Sequence, residues 1–424
     1  MKVYIDTLGC PKNVVDSELM QVELQANHIH VDDSSDEADV VIVNTCSFIK
    51  DAVEESLSTI FNYIQQGKRI IVTGCLLGRY KETLKNELTE VKDWVEFEEQ
   101  INIAQYLNKK SQVLLKPELN RSLVKRDVPY AYVKIAEGCN RACSFCAIPL
   151  IRGSLKSRTY ISIIEEIRSL VQSGIKEIIL VAQDLTAYGG DRKNNLLTLL
   201  KKIVKIPLDF NVRLLYLYPA DVDQELIDFI LSQEKIFNYF DIPVQHSEKK
   251  ILRKMNRFYD KEKLLAMIEY IRKQAPDAVF RTTLLVGFPS ETEKDIKQLT
   301  SFVKNVRFNH LGVFTYFREE GTTGYTLGDP ISQKIKQKRL QDLMLIQQKI
   351  SAEKLAPFQD ETLTVMIDKK YDENYFEARN YYFAPEIDGL IFVKKKKNKP
   401  LKKGDVVKIK ITETTDYDLY GELL

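Results

Sequence analysis

Three cysteines stand close together near the middle of the chain, at Cys139, Cys143 and Cys146. Three thiolates with this C-x3-C-x2-C spacing can bind three irons of a [4Fe–4S] cluster, whose full ligation by protein would need four cysteines. The fourth iron is then open, and an open coordination position is where a metal centre carries out chemistry. The pattern therefore predicts a catalytic iron–sulfur cluster in this loop.

Other interpretations of the three cysteines are weaker. A disulfide would leave one cysteine unpaired, and structural zinc needs four nitrogen or sulfur ligands. The chain has only four histidines, and none lies near this loop in sequence. A chance group of buried cysteines remains the alternative to a cluster, because free cysteine is often buried.

The remaining cysteines, Cys10, Cys46 and Cys75, are far apart in sequence but share one context. Each follows a short apolar run with strand character and precedes a helical pattern. In a parallel sheet the carboxyl ends of the strands meet at one edge, where ligands bind. We therefore expect a second three-cysteine cluster with an open iron. The alternative is three small core residues, and about four irons per chain instead of about eight would support it.

The elements that position these cysteines begin with an α/β domain. Strand patterns at Lys2–Asp6, Val40–Val43 and Arg69–Val72 alternate with helical patterns such as Val14–Ala26. This alternation predicts a parallel sheet with right-handed crossovers. We place this domain at residues 1–115.

A second α/β region contains six strand patterns with helices between them. The patterns lie at Tyr132–Ala136, Glu177–Ala182, Val212–Tyr216, Tyr239–Val244, Phe280–Val286 and Leu311–Phe317. Six βα units in about 200 residues predict a partial (β/α)6 barrel, because a full eight-unit barrel needs a longer chain. The central cysteines directly follow its first strand. With a trailing helix at Ser332–Leu355, this domain spans residues 125–356.

Short β-like runs separated by turn signals occupy residues 357–424. They lie at Thr362–Ile367, Tyr375–Arg379, Leu390–Val393, Val406–Thr412 and Leu419–Glu422. Five short strands with turns such as Asp388-Gly389 predict a small antiparallel β-barrel.

The bulk composition is that of an ordinary globular protein. The 424 residues include 62 Lys and Arg and 60 Asp and Glu, so the net charge of +2 gives no broad attraction to nucleic acid or anionic lipid. We find no pattern of a secretion signal and no apolar run that would span a membrane. We therefore expect a cytoplasmic protein whose thiols stay reduced.

The central cysteine loop, with aromatic Phe145 just before its last cysteine, resembles the radical S-adenosylmethionine (SAM) superfamily. The resemblance implies that the amino and carboxylate groups of SAM chelate the open iron. One-electron reduction then cleaves SAM to methionine and a 5′-deoxyadenosyl radical, which removes hydrogen from an unactivated carbon. The cofactors carry this chemistry, and no side-chain acid or base is expected to act as the catalytic group.

Over the whole chain, the two cysteine sets and the terminal barrel resemble the methylthiotransferases, which combine an N-terminal cluster domain, a radical SAM core and a TRAM domain. The local motifs resemble the branch that modifies an aspartate of ribosomal protein S twelve. They are LGCPKN at 8–13, NTCSFI at 44–49, CSFCAIP at 143–149, AQD at 182–184 and APEIDG at 384–389. Ser290 and Ala378 depart from the pattern, because the family usually has glycine at both positions.

The resemblance implies a methylthiotransferase that uses two [4Fe–4S] clusters and two SAM molecules. The enzyme would add a methylthio group to the β-carbon of the target aspartate. The central cluster would generate the radical, and the N-terminal cluster would carry the sulfur and accept a methyl group from the second SAM. The implied partners are ribosomal protein S twelve, an electron donor such as flavodoxin or ferredoxin, and a sulfur donor.

Polar residues at the carboxyl ends of barrel strands are the candidates for contacts with SAM, because catalytic residues occupy these ends. Gln183 and Asp184 end the second strand, Gln245 and His246 end the fourth, and Arg281 lies in the fifth. We assign Gln183, Asp184, Gln245 and Arg281 to cofactor binding. His246 fits a structural histidine equally well, and surface pairing is the alternative for Arg281.

The charge of the terminal domain favours a protein substrate over tRNA. Residues 358–424 contain 12 Lys and Arg and 13 Asp and Glu. A single-stranded RNA binder needs a basic groove beside its stacking aromatics. The aromatics are present but the basic excess is absent, with the run Lys394–Lys397 as a local exception. A mixed or acidic surface suits a basic ribosomal protein better.

Three other functions fit parts of the sequence. A tRNA adenosine methylthiotransferase would use the same chemistry on RNA. Another radical SAM enzyme would use the second cluster only to relay electrons, and a non-enzymatic iron–sulfur scaffold would not cleave SAM. Mass spectrometry of ribosomal protein or tRNA after incubation with the enzyme distinguishes the two substrates.

Overall fold

The computed structural model describes residues 1–108, 116–396 and 399–424. The predicted end of the first domain, at residue 115, lies outside the described residues, as does the last residue of the basic run 394–397. The described chain forms an N-terminal parallel sheet, a central pair of parallel sheets and a terminal closed barrel. This arrangement confirms the predicted fold class.

The N-terminal sheet has five parallel strands in the order β2-β1-β3-β4-β5. The strands are β1 Lys2–Thr7, β2 His30–Val31, β3 Val40–Thr45, β4 Arg69–Gly74 and β5 Asp93–Val95. The helices are α1 Pro11–Ala26, α2 Lys50–Gln65, α3 Cys75–Glu87 and α4 Ala104–Leu107. Every residue of β3 is buried, as expected for an inner strand with helices on both faces.

The strand register brings the carboxyl ends of β1, β3 and β4 together. Thr7 pairs with Asn44, and Thr45 pairs with Gly74. Helix α1 begins at Pro11, earlier than the predicted Val14, because proline suits the first helical turn. The cysteines that follow these three strands therefore share one edge of the sheet.

The central region carries two three-stranded parallel sheets, in the orders β10-β9-β6 and β11-β12-β13, and a small hairpin β7-β8. Its strands are β6 Tyr130–Lys134, β7 Ala136–Glu137, β8 Lys156–Ser157, β9 Glu177–Val181, β10 Asn211–Leu214, β11 Tyr239–Asp241, β12 Val279–Val286 and β13 His310–Thr315. Its helices are α5 Ile148–Arg152, α6 Tyr160–Gln172, α7 Leu196–Ile203, α8 Gln224–Leu231, α9 Lys249–Lys254, α10 Lys261–Gln274, α11 Glu293–Val306 and α12 Gln333–Leu355. Short 3-10 helices lie at Phe97–Asn102, Pro117–Leu123, Pro219–Asp221, Thr323–Leu327 and Ala356–Phe358.

Strand β6 shows how the central sheets bury their two faces. Ala131 and Val133 belong to the apolar core that includes the covering helices. Tyr130 and Tyr132 belong instead to a core shared with the terminal barrel. Because successive strand residues point to opposite faces, the second set lines the interior of the partial barrel.

The terminal barrel closes in the order β14-β15-β16-β18-β17. Its strands are β14 Thr362–Lys370, β15 Tyr375–Arg379, β16 Ile391–Lys394, β17 Val406–Thr414 and β18 Leu419–Leu423. Four of its ladders are antiparallel, and the ladder between β16 and β18 is parallel. No helix in the described ranges is long and apolar enough to cross a membrane.

The terminal barrel docks on the central region through one segment that follows β15. Arg213 donates from its two terminal nitrogens to the carbonyls of Tyr381 and Asn380, at 2.9 and 3.1 Å. Tyr239 Oη donates to Asp388 Oδ2 at 2.6 Å. Arg213 lies inside strand β10, and Tyr239 begins strand β11. The terminal barrel therefore docks away from the carboxyl ends of the central strands, which face the cysteines.

Candidate functional site

The thiols of Cys10, Cys46 and Cys75 converge at the carboxyl edge of the N-terminal sheet. Gly9 approaches Cys46 so closely that a β-carbon on Gly9 would lie 2.6 Å from Cys46 Sγ. Cys75 Sγ lies 3.9 Å from Oδ1 of Asn13, which follows Cys10 by one turn of chain. Each of the three thiols is close enough to another to affect its pKa. The strands therefore bring together the residues that the sequence predicted as a set.

The surroundings of this N-terminal site stabilise the thiolate form of Cys10 but not that of Cys75. Burial acts to raise the pKa of Cys10, but Lys12, the backbone N–H of Asn13 and Arg152 outweigh it, so the pKa is lowered. Burial raises the pKa of Cys75 to about 11, although Arg152 acts in the opposite direction. Because metals bind thiolates, iron must displace the proton from Cys75 when the site is loaded.

The central cysteine loop is held by backbone bonds to several parts of the core. Cys139 N–H donates to the carbonyl of Gly153 at 3.1 Å, and Cys146 N–H donates to that of Cys143 at 3.1 Å. Ser144 bonds helix α9 from its N–H and its hydroxyl, to Met255 at 3.0 Å and to Lys254 at 2.7 Å. Burial raises the pKa of Cys146 to about 12, so the third thiol also depends on a bound cation for deprotonation.

Two guanidinium groups lie beside the central loop. Arg257 Nη1 lies 3.6 Å from Cys143 Sγ, and Arg141 donates from its backbone N–H to Cys139 Sγ at 3.3 Å. Both guanidinium groups stack on the ring of Tyr218, at 4.5 and 3.9 Å from its centroid. These cations partly compensate the negative charge of a thiolate-bound cluster.

The chemistry of each donor set fits a cluster and does not fit a single ion. In the described ranges no group of three or more His, Cys, Asp or Glu is placed to hold one metal ion. A [4Fe–4S] cluster binds each thiolate through a different iron, so it needs thiols that are near one another but more widely spaced. Each site offers three thiols with a cation nearby, and this donor set is the one that a cluster with one open iron requires.

The two cysteine sites are neighbours in the folded chain. Cys75 packs with Ala147 and Ile151, and Ala147 directly follows Cys146. Helix α3, which begins at Cys75, lies against helix α5 of the core, so a β-carbon on Gly78 would approach the carbonyl of Ile151 to 2.9 Å. The sequence placed the two sites in separate domains and did not predict this contact.

Arg152 joins the two sites. Its Nε and Nη2 lie 3.3 and 3.2 Å from Cys75 Sγ. Nη2 also donates to Asn13 Oδ1 at 2.6 Å, and Nη1 donates to Asp16 Oδ2 at 3.0 Å and to Glu137 Oε2 at 3.2 Å. A residue of the central region therefore supplies positive charge to a thiol of the N-terminal site.

Two of the four predicted cofactor-binding residues lie near the central cysteines. Asp184 accepts from Arg141 Nε at 2.7 Å, and burial together with the charge of Asp184 raises the pKa of Cys139. Gln183 donates through Nε2 to Glu137 Oε1. The side-chain oxygen of Gln183 itself is buried and has no hydrogen-bond partner among the described residues. Both positions suit contacts with a cofactor, and their role stays a prediction.

The other two predicted cofactor-binding residues are placed differently. Gln245 has a left-handed backbone with φ of 65°, and its backbone bonds strand β12 at Thr283 and Leu285. Arg281 is not brought to the cysteines, because it contacts Asp241 and Asp388, each at 3.3 Å. Its predicted contact with SAM is not tested by these bonds and stays a prediction.

His246 is a buried residue of the core. Its Nδ1 accepts the N–H of Glu248 at 3.0 Å, and its Nε2 lies 3.4 Å from Glu291 Oε2. Glu291 also accepts the N–H of Gly287 at 2.9 Å, so the pair supports the loop after β12. In that loop Ser290 adopts a φ of 78°, the left-handed conformation for which glycine is better suited.

The sequence did not predict the roles of four cations beside the cysteines, namely Lys12, Arg141, Arg152 and Arg257. Lys12 and Arg141 lie beside cysteines, whereas Arg152 ends one short helix and Arg257 follows another, and none has a distinctive spacing of its own. Lys12 lies in the motif LGCPKN at 8–13, and that was the available signal for it. Their partners are set by the packing of the first domain on the second.

Three family models match successive parts of the chain. Residues 2–96 match the uncharacterized protein family UPF0004, residues 133–303 match the radical SAM superfamily, and residues 361–424 match the TRAM domain. The matches follow the N-terminal sheet, the central sheets and the terminal barrel in that order.

Relatives of known name match over the whole chain. The ribosomal protein uS12 methylthiotransferase RimO of Aquifex aeolicus is 45% identical over 99% of this chain and 97% of its own length. The proteins of the same name from Thermosipho africanus and Clostridioides difficile are 42% and 40% identical, each over 100% of this chain and 100% and 99% of their own.

Solved structures are similar in fold. The radical SAM methyltransferase TsrM from Kitasatospora setae, solved with cobalamin and a [4Fe–4S] cluster, aligns with a TM-score of 0.56 over 74% of each chain. The identity is 13%, so this similarity concerns the fold alone.

Proposed function

This chain belongs to the RimO family of ribosomal protein uS12 methylthiotransferases, and from that premise we propose that its two cysteine sites divide one methylthiolation reaction between them. The chain is a radical SAM transferase, and its cofactors are [4Fe–4S] clusters and SAM. The proposal concerns which residues hold each cofactor, what each site does and which substrate is modified.

We assign the radical-generating cluster to Cys139, Cys143 and Cys146. When bound, this cluster supplies the electron that cleaves SAM and yields a radical able to take hydrogen from carbon. The chain's own residues hold the site in place: Arg257 places positive charge beside Cys143, the backbone N–H of Arg141 donates to Cys139, and Ser144 fixes the loop on the end of helix α9. Gln183, Asp184, Gln245 and Arg281 are the proposed contacts for SAM.

We assign the sulfur-carrying cluster to Cys10, Cys46 and Cys75. The observation that carries this assignment is the packing of Cys75 against Ala147, the residue after Cys146. Sulfur held at the N-terminal site would therefore lie beside the place where the substrate radical forms. Such proximity converts transfer between two sites into a step within one assembled complex.

The proposed substrate is ribosomal protein uS12, with the methylthio group added to the β-carbon of an aspartate. The first support is the name of the relatives that match over the full chain. A terminal domain without a basic excess is the second support, since it suits a basic protein better than RNA. The reaction further needs an electron donor such as flavodoxin or ferredoxin and a sulfur donor, and it would take place in the cytoplasm.

Two cysteine variants and mass spectrometry test the proposal. The protein is reconstituted anaerobically and incubated with SAM, reductant, and either uS12 or tRNA. Wild type should add one methylthio group to uS12. Cys143→Ala should abolish SAM cleavage, whereas Cys46→Ala should keep SAM cleavage and lose methylthio transfer. Product from Cys46→Ala would show that the N-terminal site does not carry the sulfur, and modified tRNA with unmodified uS12 would show the wrong substrate.

A further inference from the structure

Lys12 is unusual among the buried cations of this chain. It is 8% exposed, yet no hydrogen-bond acceptor or ion-pair partner of its ammonium lies among the described residues. Most other buried cations in the described ranges pair with carboxylates, as Arg121 does with Glu166 and Lys336 with Asp329, and Arg257 donates instead to the carbonyl of Pro243. A buried charge is costly unless it is paired, so an unpaired ammonium indicates a missing anionic partner.

The nearest negative groups do not supply that partner. The charges of Cys10 and Glu137 act on Lys12 from a distance. Glu137 is already paired, with Lys134 Nζ at 2.6 Å and Arg152 Nη1 at 3.2 Å. Cys10 is a proposed cluster ligand whose charge acts on Lys12, but among the described residues its sulfur accepts no hydrogen bond from Nζ, so the N–H donors of Lys12 stay available.

Lys12 lies between the N-terminal thiols and the interior of the central barrel. It is the second residue of α1, two positions after Cys10. Its Nζ lies 4.8 Å from the centroid of the Tyr216 ring, which follows strand β10 at its carboxyl end. A cation on an aromatic face keeps the N–H groups that point away from the ring available for an acceptor.

The backbone of Tyr216 is held in a rare conformation. Its φ is 66°, and Asp241 Oδ2 accepts its N–H at 2.9 Å while its carbonyl accepts the N–H of Leu185 at 3.0 Å. Left-handed backbone at a residue with a bulky side chain costs free energy and persists where the surroundings enforce it, often at functional sites. The fold thus fixes the ring that carries the Lys12 ammonium.

We propose that Lys12 Nζ binds the side-chain carboxylate of the target aspartate and so selects aspartate as the residue to be modified. This inference rests on the proposed function, because it names the group of the uS12 substrate that the site recognises. The carboxylate is bonded to the β-carbon that would react. An ammonium fixed beside Cys10 therefore holds that carbon near the N-terminal thiols and at the mouth of the barrel.

The charge of Lys12 also gives a specificity that shape alone cannot. Asparagine has nearly the same size as aspartate but carries no charge to compensate the buried ammonium. Hydrogen bonds between charged groups contribute about 1.5–3 kcal/mol, which corresponds to roughly ten- to hundredfold in affinity. The site should therefore discriminate strongly between these two side chains.

Peptide binding to the holoenzyme tests the inference. Two synthetic peptides carry the modified loop of uS12, one with the target aspartate and one with asparagine in its place. Binding is measured anaerobically on protein loaded with both clusters, for wild type, Lys12→Met, Lys12→Arg and Lys50→Met. Lys50 is an exposed residue of the same domain, and its variant controls for the loss of one positive charge. Iron content and the EPR spectra of the clusters are compared in all four proteins.

Wild type and Lys50→Met should bind the aspartate peptide at least tenfold more tightly than the asparagine peptide. Lys12→Met should lose this preference to within about twofold, through weaker binding of the aspartate peptide alone, and Lys12→Arg should keep most of it. Equal affinity of wild type for both peptides would overturn the inference without any variant. Loss of SAM affinity in Lys12→Met with peptide discrimination unchanged would also overturn it, because the carboxylate would then be that of SAM. If wild type forms no methylthio product on uS12 itself, the proposed function fails instead.

Discussion

Arg152 of the central region lies against Cys75 of the N-terminal domain, with two guanidinium nitrogens 3.2 and 3.3 Å from the sulfur. The guanidinium is buried and stacks on the ring of Phe97 at 3.5 Å from its centroid. Asn13 Oδ1 accepts a further hydrogen bond from Nη2, and Asp16 Oδ2 accepts one from Nη1. The environment of the N-terminal thiols is therefore completed by a residue that follows the central cysteines by only a few positions.

The first prediction is that Arg152 raises the reduction potential of the N-terminal cluster. Hydrogen bonds to cluster sulfurs and nearby positive charge stabilise the reduced, more negative form. At the potential where the wild-type cluster is half reduced, Arg152→Met should lower the ratio of reduced to oxidised cluster at least tenfold. This corresponds to a midpoint potential that is lower by about 59 mV for one electron. Arg152→Lys should give a smaller shift, because it keeps the charge and loses the planar fork.

The measurement is an EPR redox titration in a background without the central cysteines, so that only the N-terminal cluster contributes signal. Arg307→Met removes an exposed guanidinium that pairs with Glu353 and serves as the control. An unchanged midpoint in Arg152→Met, with iron fully retained, would refute a direct effect of the guanidinium on the cluster.

The second prediction concerns Gly9. Its φ is 88°, and a β-carbon there would lie 2.6 Å from both Cβ and Sγ of Cys46. Gly9→Ala should therefore displace Cys46 and prevent assembly of the N-terminal cluster, so that iron falls from about eight to about four per chain. SAM cleavage should persist, because the central loop is not touched.

Gly67→Ala is the matched control for this glycine. Gly67 also has a positive φ, of 66°, but a β-carbon there would meet nothing within 4 Å. Its substitution should cost about 1 kcal/mol of stability and leave the iron content unchanged. If Gly9→Ala retains eight irons, the close approach of Gly9 to Cys46 does not shape the site.

The cysteine sites could be predicted from the sequence because their positions follow from local pattern. Cys10, Cys46 and Cys75 each come after an apolar run, and a parallel sheet aligns the ends of such runs, as the pairing of Thr45 with Gly74 shows. The central cysteines share one loop, so their proximity needs no knowledge of packing.

The residues around the sites could not be predicted, because their partners come from distant parts of the chain. Arg152 meets Cys75 across 77 positions, and Arg281 meets Asp388 across 107. The sequence shows that such a residue is polar within an apolar context, but it does not show whether a cofactor or another domain pairs with it. Arg281 illustrates the difference, since its observed partners include a carboxylate of the terminal barrel.

The third prediction concerns the ion network that joins the terminal barrel to the core. Buried Arg379 donates through Nε to Asp368 Oδ2 at 2.7 Å and through Nη1 to Glu177, which also pairs with Arg213 at 2.8 Å. Burial raises the pKa of Asp368 to about 6 although Arg379 acts to lower it. Arg379→Met leaves two buried carboxylates short of a partner and should cost about 3–5 kcal/mol.

Calorimetry measures this loss as a lower unfolding temperature. Lys394→Met is the control, because it breaks the exposed pair of Lys394 with Glu422, which water and salt screen, and should leave the unfolding temperature nearly unchanged. Similar unfolding temperatures for the two variants would show that the buried network does not stabilise the docking of the barrel.

The fourth prediction is a pH-dependent gain in stability on replacing Lys354, a half-buried residue in the last turn of α12. Burial, together with the nearby charges of Arg272 and Arg307, lowers its pKa from 10.5 to about 8. Below pH 8 Lys354 is charged in both the folded and the unfolded state, and burial of that charge near two arginines destabilises the folded state. Between pH 8 and 10.5 the unfolded state binds more protons, so the stability of wild type rises with pH.

Lys354→Met removes the penalty, so the variant should be more stable than wild type below pH 8, and the difference should vanish as the pH approaches 10.5. Solvent screening of this half-buried group reduces the expected gain to roughly 1 kcal/mol. Thermal unfolding at pH 7 and pH 10 measures the difference, with Lys349→Met, an exposed position on the same helix, as the control. A gain that is equal at both pH values would show that apolar packing of the new methionine, rather than the buried charge, sets the stability here.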